Sequence, residues 1–169
     1  MTDSGRDTRR VILGAGQLGL AVMDALAALG RSASITNRSG KIDETLPEGM
    51  SVRPADLSNP DSVESVTRGA EVVYLCAAPP YAEWPEKFPP LIRSVIEGVS
   101  RVGGKLVFGD NLYMYGPTGG APIREDLPYA ADGSKGKTRA QIAGLLLDAH
   151  KAGNLQVTLG RGADFFGPR

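Results

Sequence analysis

The chain has 169 residues, enough for one domain with a hydrophobic core but too short for two. Nineteen basic and nineteen acidic residues balance, so composition gives no reason to expect a nucleic acid or an anionic membrane as a partner. The single cysteine, Cys76, excludes an internal disulfide, and no apolar run approaches the roughly 20 residues that cross a bilayer. Residues 1–7 are polar and show no signal-peptide pattern. We therefore expect a cytoplasmic protein with a flexible N-terminus at residues 1–7 and one folded domain over residues 8–169.

The N-terminal part of the chain alternates between strand and helix patterns. A short apolar run over residues 9–13 predicts a buried parallel strand, and the largely apolar residues 17–29 predict a buried helix. Residues 32–36 predict the second strand. Residues 41–50 are interpreted as a loop, and a weak third strand is expected over residues 52–57.

The alternation continues to the end of the chain. Asn59 and Pro60 begin a predicted helix, and residues 72–77 give the strongest strand signal. Three prolines then predict a loop, namely Pro79, Pro80 and Pro85. The remaining elements are a helix over residues 91–102, a strand over 105–108, an irregular segment to Ser134, a helix over 135–151 and a strand over 155–159. This order predicts an α/β fold: a Rossmann-like, doubly wound parallel sheet with right-handed crossovers.

A glycine-rich turn joins the first strand to the first helix. It has the pattern G-x-G-x-x-G, in which the first glycine makes a tight turn, the second lets the backbone approach a pyrophosphate, and the third packs helix on strand. The pattern alone is weak, but its place between a strand and a helix favours dinucleotide binding over a plain turn. The predicted binding residues here are Gly14, Gly16, Gln17, Leu18 and Gly19.

The residues after the second strand bear on the choice of cofactor. An acidic residue that would bind the ribose 2′-hydroxyl of NAD is absent there, and Asn37, Arg38 and Ser39 occupy the position. A guanidinium can pair with the 2′-phosphate of NADP, so this segment favours NADP, with NAD as the alternative. The competing interpretation is that Arg38 is an ordinary solvated charge.

Together these segments resemble the extended short-chain dehydrogenase/reductase superfamily, in particular its NAD-dependent epimerase/dehydratase family, over residues 9–169. The resemblance rests on the glycine turn and on motifs that follow four later strands: Asp56-Leu57, Ala77-Ala78-Pro79, Tyr115-Gly116 and the segment Arg161 to Pro168. It implies that Asp56, with Leu57 beside it, contacts the adenine. It also implies that Ala77, Ala78 and Pro79 line the cofactor near the nicotinamide ribose.

The catalytic part of the family pattern is altered. Asn111 stands where the family usually has Ser or Thr, and the family's Tyr-x-x-x-Lys aligns with Lys135 and Arg139. A protonated lysine is a poor general base, so the site is atypical. Lys135 and Arg139 lie four residues apart, which predicts a shared helix face toward the sheet; the alternative is two solvated charges.

Two tyrosines offer a substitute for the missing phenol. Tyr113 and Tyr115 either replace it or, as is more common, are packing residues whose ring is buried and whose hydroxyl reaches solvent. We expect His150 to be a partly exposed residue at a helix end and Cys76 to be inert core. The sequence predicts no metal site.

The resemblance also implies a missing part. Family members continue after the last motif into a smaller lobe that holds the substrate. Two explanations are open: this chain is a fragment, or the substrate surface is supplied by a second copy in a homo-oligomer or by a partner. The small-molecule substrate stays unidentified. Two functions remain: an NADP-dependent oxidoreductase or epimerase-like enzyme, and a catalytically inactive cofactor-binding sensor or regulatory module.

Overall fold

The structure, a computed structural model, describes residues 9–163. The expectations for residues 1–7 and for the last motif beyond residue 163 lie outside this part. The strands are β1 (Arg10–Leu13), β2 (Ala33–Asn37), β3 (Met50–Pro54), β4 (Val72–Leu75), β5 (Lys105–Asp110) and β6 (Gln156–Arg161). The helices are α1 (Gln17–Ala28), α2 (Pro60–Thr67), α3 (Trp84–Ser100) and α4 (Ser134–Lys151), with short 3-10 helices at Tyr81–Glu83 and Tyr113–Tyr115.

The strands form one parallel sheet in the order β3-β2-β1-β4-β5-β6, which confirms the predicted Rossmann-like fold. Winding reverses at β1, since Ile12 pairs with Ile35 of β2 on one side and with Tyr74 of β4 on the other. In open parallel sheets a crevice forms at this point, outside the carboxyl ends of the strands. The topology therefore selects one edge of the sheet for the site.

Alternating side chains of the central strands β1 and β4 enter two separate cores. Val11 and Leu13 of β1 belong to the larger core, which α2, α3 and α4 complete. Ile12, between them, points into the smaller core with Met23 and Leu26 of α1. This period of two is the expected geometry of a strand buried on both faces.

The largest departure from the sequence prediction is the start of α3. The prolines predicted a loop up to residue 91, which is wrong: α3 begins at Trp84 and has Pro85 in its first turn. Proline fits there because the first N–H groups of a helix have no intrahelical partner. Trp84 and Phe88 are both buried, so packing outweighs the cost of the prolines further along the helix.

Several strand limits also differ from the prediction. β5 and β6 each continue two residues further than expected, to Asp110 and Arg161, which are paired in register. The side chains of these two charged residues contact each other. β3 begins earlier than expected because Met50 pairs with Ala33 of β2.

Two helical glycines give a matched test of packing. A Cβ at Gly98 of α3 would lie 2.6 Å from the Val63 Cβ and 2.7 Å from the Pro60 carbonyl oxygen, whereas a Cβ at Gly144 of α4 would meet nothing within 4 Å. We expect Gly98→Ala to lower the free energy of unfolding by about 1–3 kcal/mol through overpacking. Gly144→Ala should raise it by about 0.5–1 kcal/mol. Chemical denaturation checks both, and equal effects would contradict the close packing of α2 on α3.

Candidate functional site

A cavity of about 560 Å³ opens at the carboxyl ends of the strands around the winding reversal. This is the place where open α/β sheets bind ligands. The structure brings together in its wall eight residues predicted to bind a cofactor: Gly14, Asn37, Arg38, Asp56, Leu57, Ala77, Ala78 and Pro79. Five others adjoin the cavity in sequence but do not form its wall: Gly16, Gln17, Leu18, Gly19 and Ser39.

The glycine turn has the geometry that a dinucleotide requires. Gly14 has φ of +111°, and a Cβ there would lie 2.7 Å from the Ala77 backbone nitrogen. A Cβ at Gly19 would lie 1.9 Å from the Gly14 carbonyl oxygen, so α1 approaches β1 closely only with glycine there. At Gly16, by contrast, a Cβ would meet nothing within 4 Å. The backbone at Gly16 is therefore open to close approach by another group.

The first turn of α1 has free donors for an anion. Its N-cap is Gly16, which offers no side chain to accept hydrogen bonds from the backbone, and the first turn has no acidic residue. Unpaired N–H groups and the helix dipole favour negative charge at such a terminus. The turn therefore fits a dinucleotide pyrophosphate.

The turn after β2 is organised by Asn37. Its Oδ1 accepts hydrogen bonds from the Gly40 backbone N–H at 2.6 Å and from the Ser39 hydroxyl at 3.2 Å. Its Nδ2 donates to the Lys41 carbonyl at 2.7 Å. Arg38 is exposed at the rim of the cavity. A neutral amide thus holds the turn, and the ionic group that it presents to the cavity is a cation.

The turn after β3 forms the next part of the wall. The Asp56 carboxylate accepts the Ser58 N–H at 2.9 Å, and the Asp56 N–H donates to the Ser62 hydroxyl at 3.0 Å. These bonds fix the backbone around Asp56 and Leu57 where both line the cavity. The side chain of Asp56 nevertheless remains exposed.

The outer wall of the cavity was missed by the sequence analysis because α3 was placed too late. It contains residues at and just before the start of that helix, including Glu83, Glu86 and Lys87. The Glu83 carboxylate and the Lys87 ammonium form an ion pair of 2.7 Å. Pro85 could have revealed this helix start, since proline is common in a first helical turn.

The residues predicted to be catalytic do not line this cavity. They lie past the end of β5 and on the first turns of α4. Asn111 is buried, and its Oδ1 accepts the Tyr113 N–H at 3.1 Å. Tyr113 is 40% exposed, whereas Tyr115 is buried, with its hydroxyl 2.6 Å from Arg161 Nη1.

Arg139 is part of a buried ion cluster centred on Asp110. The carboxylate of Asp110 lies 3.2 Å from Arg139 Nη1 and 3.4 Å from Arg161 Nε. Burial raises the pKa of the Asp110 carboxyl and lowers that of the Arg139 guanidinium, while the attraction between the two charges opposes both shifts. Sequence reasoning missed this role of Asp110, since the partners are 29 and 51 residues away.

Aromatic rings cover the Arg139 guanidinium. Its Cζ lies 4.2 Å from the ring centroid of Trp84 and 4.9 Å from that of Phe88. Arg139, Ile142 and Leu146 are all buried, so this face of α4 packs toward the sheet as predicted. The alternative of a solvated charge is wrong for Arg139.

Lys135 lies one turn earlier on α4 and is partly buried. Its Nζ donates a hydrogen bond to the Tyr81 carbonyl and lies 4.6 Å from the centroid of the Tyr81 ring. Lys135 therefore connects α4 to the segment that follows β4.

Cys76 and His150 lie outside these contacts. Burial raises the pKa of the Cys76 thiol to about 12, which leaves no reactive thiolate at neutral pH. His150 is exposed, and its Nδ1 accepts the Val157 N–H at 3.3 Å. Within residues 9–163 no group of acidic, His and Cys side chains is placed to hold a metal ion. No helix of the same part is long and apolar enough to span a membrane.

The strand order, the glycine turn and the cavity at the winding reversal define a dinucleotide-binding α/β protein. The model of the NAD dependent epimerase/dehydratase family matches residues 11–169, so the chain belongs to that family. The sequence matches no curated protein.

Solved structures share this fold. A UDP-galactose 4-epimerase superposes with a TM-score of 0.76 at 21% identity, covering 91% of this chain and 55% of that one. A UDP-glucose 4-epimerase from Brucella ovis in complex with NAD gives 0.77 at 18%, covering 93% and 54%. A Rossmann-fold NAD(P)-binding family protein from Shigella flexneri gives 0.66 at 22%, covering 92% and 67%. The chain thus spans about half the length of the two epimerases.

The glycine turn yields a paired prediction. Because Gly16 faces open space, Gly16→Val should fill the ligand side of the turn and abolish dinucleotide binding while changing the free energy of unfolding by only about 1 kcal/mol. Gly19→Ala should instead destabilise the fold, because its Cβ would collide with the Gly14 carbonyl. Calorimetric binding and chemical denaturation measure both effects. Wild-type affinity in Gly16→Val would show that the pyrophosphate binds elsewhere.

Proposed function

We propose that the chain binds a nicotinamide dinucleotide along this cavity and prefers NADP. Membership in the family and the neighbour that contains NAD support a nicotinamide cofactor. The observation that carries the preference is the turn after β2, where Asn37 replaces a carboxylate and Arg38 lines the cavity. A carboxylate there would repel a 2′-phosphate, whereas a guanidinium pairs with it.

We propose that each part of the cofactor lies against a different part of the cavity wall. The pyrophosphate lies at the first turn of α1, where the open position Gly16 allows close approach. The adenosine lies between Arg38 and the Asp56-Leu57 turn, and the nicotinamide ribose lies near Ala77, Ala78 and Pro79. A bound nicotinamide supplies hydride transfer; the protein supplies its binding and orientation.

We further propose that the proton-transfer part of the site is impaired. Hydride transfer to or from a carbonyl or hydroxyl carbon needs a group that exchanges a proton with the substrate oxygen. The family's tyrosine is replaced by Lys135, whose ammonium bonds to the Tyr81 carbonyl. Arg139 is bound to Asp110 beneath Trp84. Asn111, Tyr113 and Tyr115 remain near these two residues as candidates for contact with substrate.

Two functions are consistent with such a site. The first is a slow NADP-dependent oxidoreductase or epimerase-like enzyme whose small-molecule substrate is held in part by a second copy or a partner. The second is a cofactor-binding sensor or regulatory module, which the engaged contacts of Lys135 and Arg139 favour. Substrate-dependent oxidation or reduction of the cofactor distinguishes the two.

The cofactor preference has a direct test. Arg38→Ala should weaken NADP binding by about 1.5–3 kcal/mol, the range for hydrogen bonds to charged groups, and leave NAD binding unchanged. Lys41→Ala removes a neighbouring exposed cation that is not in the cavity wall and serves as the control. Isothermal titration with both dinucleotides measures the difference. Tighter binding of NAD than of NADP by the wild-type protein would refute the preference.

The chemistry is tested by turnover at saturating cofactor. We expect little or no oxidation of alcohols, sugars or nucleotide sugars, because an ammonium can donate a proton but cannot abstract one, and reduction of ketones should be the easier direction. The absorbance of the reduced nicotinamide follows the reaction. Robust turnover that survives Lys135→Ala would show that the proton is transferred elsewhere, with Tyr113 and Tyr115 as the next candidates.

A further inference from the structure

The segment between β4 and α3 forms one wall of the cofactor cavity. Pro79, Pro80 and Glu83 all line the cavity. Two side chains from outside the segment bind its backbone carbonyls: Trp84 Nε1 donates to Pro79 at 3.0 Å, and Lys135 Nζ donates to Tyr81. Neither donor lines the cavity, so the segment that forms this wall is held by residues outside the cavity wall.

Lys135 makes a second contact with the same segment. Its ammonium lies 4.6 Å from the Tyr81 ring centroid and 6.0 Å from that of Trp84, and the two rings are 4.8 Å apart. A cation over an aromatic face is attracted by the ring quadrupole. Tyr81 is 57% exposed, so neighbouring apolar side chains cover less than half of it. The ammonium thus holds a residue that packing alone leaves loosely fixed.

We propose that Lys135 is a positioning residue that holds the Pro79–Glu83 segment against α4 and thereby sets the cofactor-facing wall of the cavity. Without this contact, molecules with a displaced wall bind the dinucleotide less well, and the apparent dissociation constant rises as the competent fraction falls. The inference rests on the proposed cofactor binding. A positioning role differs from a catalytic role in two ways. It predicts weaker binding of both dinucleotides when the contact is lost, and it predicts a change in the surroundings of Trp84 in the protein without cofactor.

Trp84 provides a readout that needs no cofactor. It is the only tryptophan of the chain, and it lies in the cluster with Tyr81 and Lys135. Lys135→Gln keeps a long polar side chain but removes the charge, and we expect it to increase acrylamide quenching of Trp84 fluorescence. Lys135→Arg keeps a cation that can stack and donate, so it should restore the wild-type value. Lys137→Gln, at an exposed position two residues further on α4, is the matched control.

Binding is then measured by titration with NADP and NAD. Lys135→Gln should raise both dissociation constants by about three- to tenfold, by the same factor, as the competent fraction falls. Lys135→Arg and Lys137→Gln should bind as the wild type does. Tyr81→Leu removes the ring from the same contact and should weaken both dinucleotides in the same direction.

Each of the other possible results would refute one step of the proposal. If acrylamide quenches Trp84 equally in Lys135→Gln and in the wild type, the claim that Lys135 holds the segment in place would be refuted. Increased quenching with unchanged dissociation constants would refute its link to the cavity. A loss for NADP alone would refute the wall mechanism and indicate direct contact with the 2′-phosphate. Failure of the wild type to bind either dinucleotide would refute the proposed function, and the quenching comparison would still test the contact.

Discussion

The buried carboxylate of Asp110 is the constraint on which the carboxyl edge of β5 and β6 depends. A charge removed from water must be paired, and loss of either partner leaves an uncompensated ion at a cost of about 3–5 kcal/mol. Asp110 is only 1% exposed, and its partners come from α4 and β6. One carboxylate therefore fixes three elements relative to one another. Arg161 extends the cluster to the hydroxyls of Tyr115 and Tyr129.

This cluster divides the site into two ends with different physical characters. The glycine turn at the cavity end presents backbone and small side chains, which is suitable for the close approach of a phosphate group, while Arg38, Glu83 and Lys87 lie elsewhere in the cavity wall. The α4 end is formed by ionic and aromatic contacts among the protein's own residues, such as Arg139 with Asp110 and Trp84. Residues already engaged with each other are less available to a substrate. Under the proposed function, affinity for a dinucleotide therefore does not imply turnover.

The sequence could predict the features that depend on local patterns but not those that depend on tertiary contacts. The sheet and the glycine turn depend on local patterns, namely apolar runs and a fixed glycine spacing, and both were predicted. The start of α3 was missed because Pro79, Pro80 and Pro85 indicate a loop locally, while the burial of Trp84 and Phe88 that stabilises the helix depends on tertiary contacts. The role of Asp110 was missed because its pairing follows from the β5–β6 register, which no local pattern encodes.

The two cations of α4 are suited to their different surroundings. Arg139 is buried, and a guanidinium is planar and weakly hydrated, so it can pack against the rings of Trp84 and Phe88 while it binds a carboxylate. Lys135 is only partly buried, where an ammonium keeps some contact with water and donates to a carbonyl. Exchanging the two residue types would bury a strongly hydrated ammonium under Trp84. Lys135 and Arg139 thus each make contacts within the fold that suit the side chain at that position.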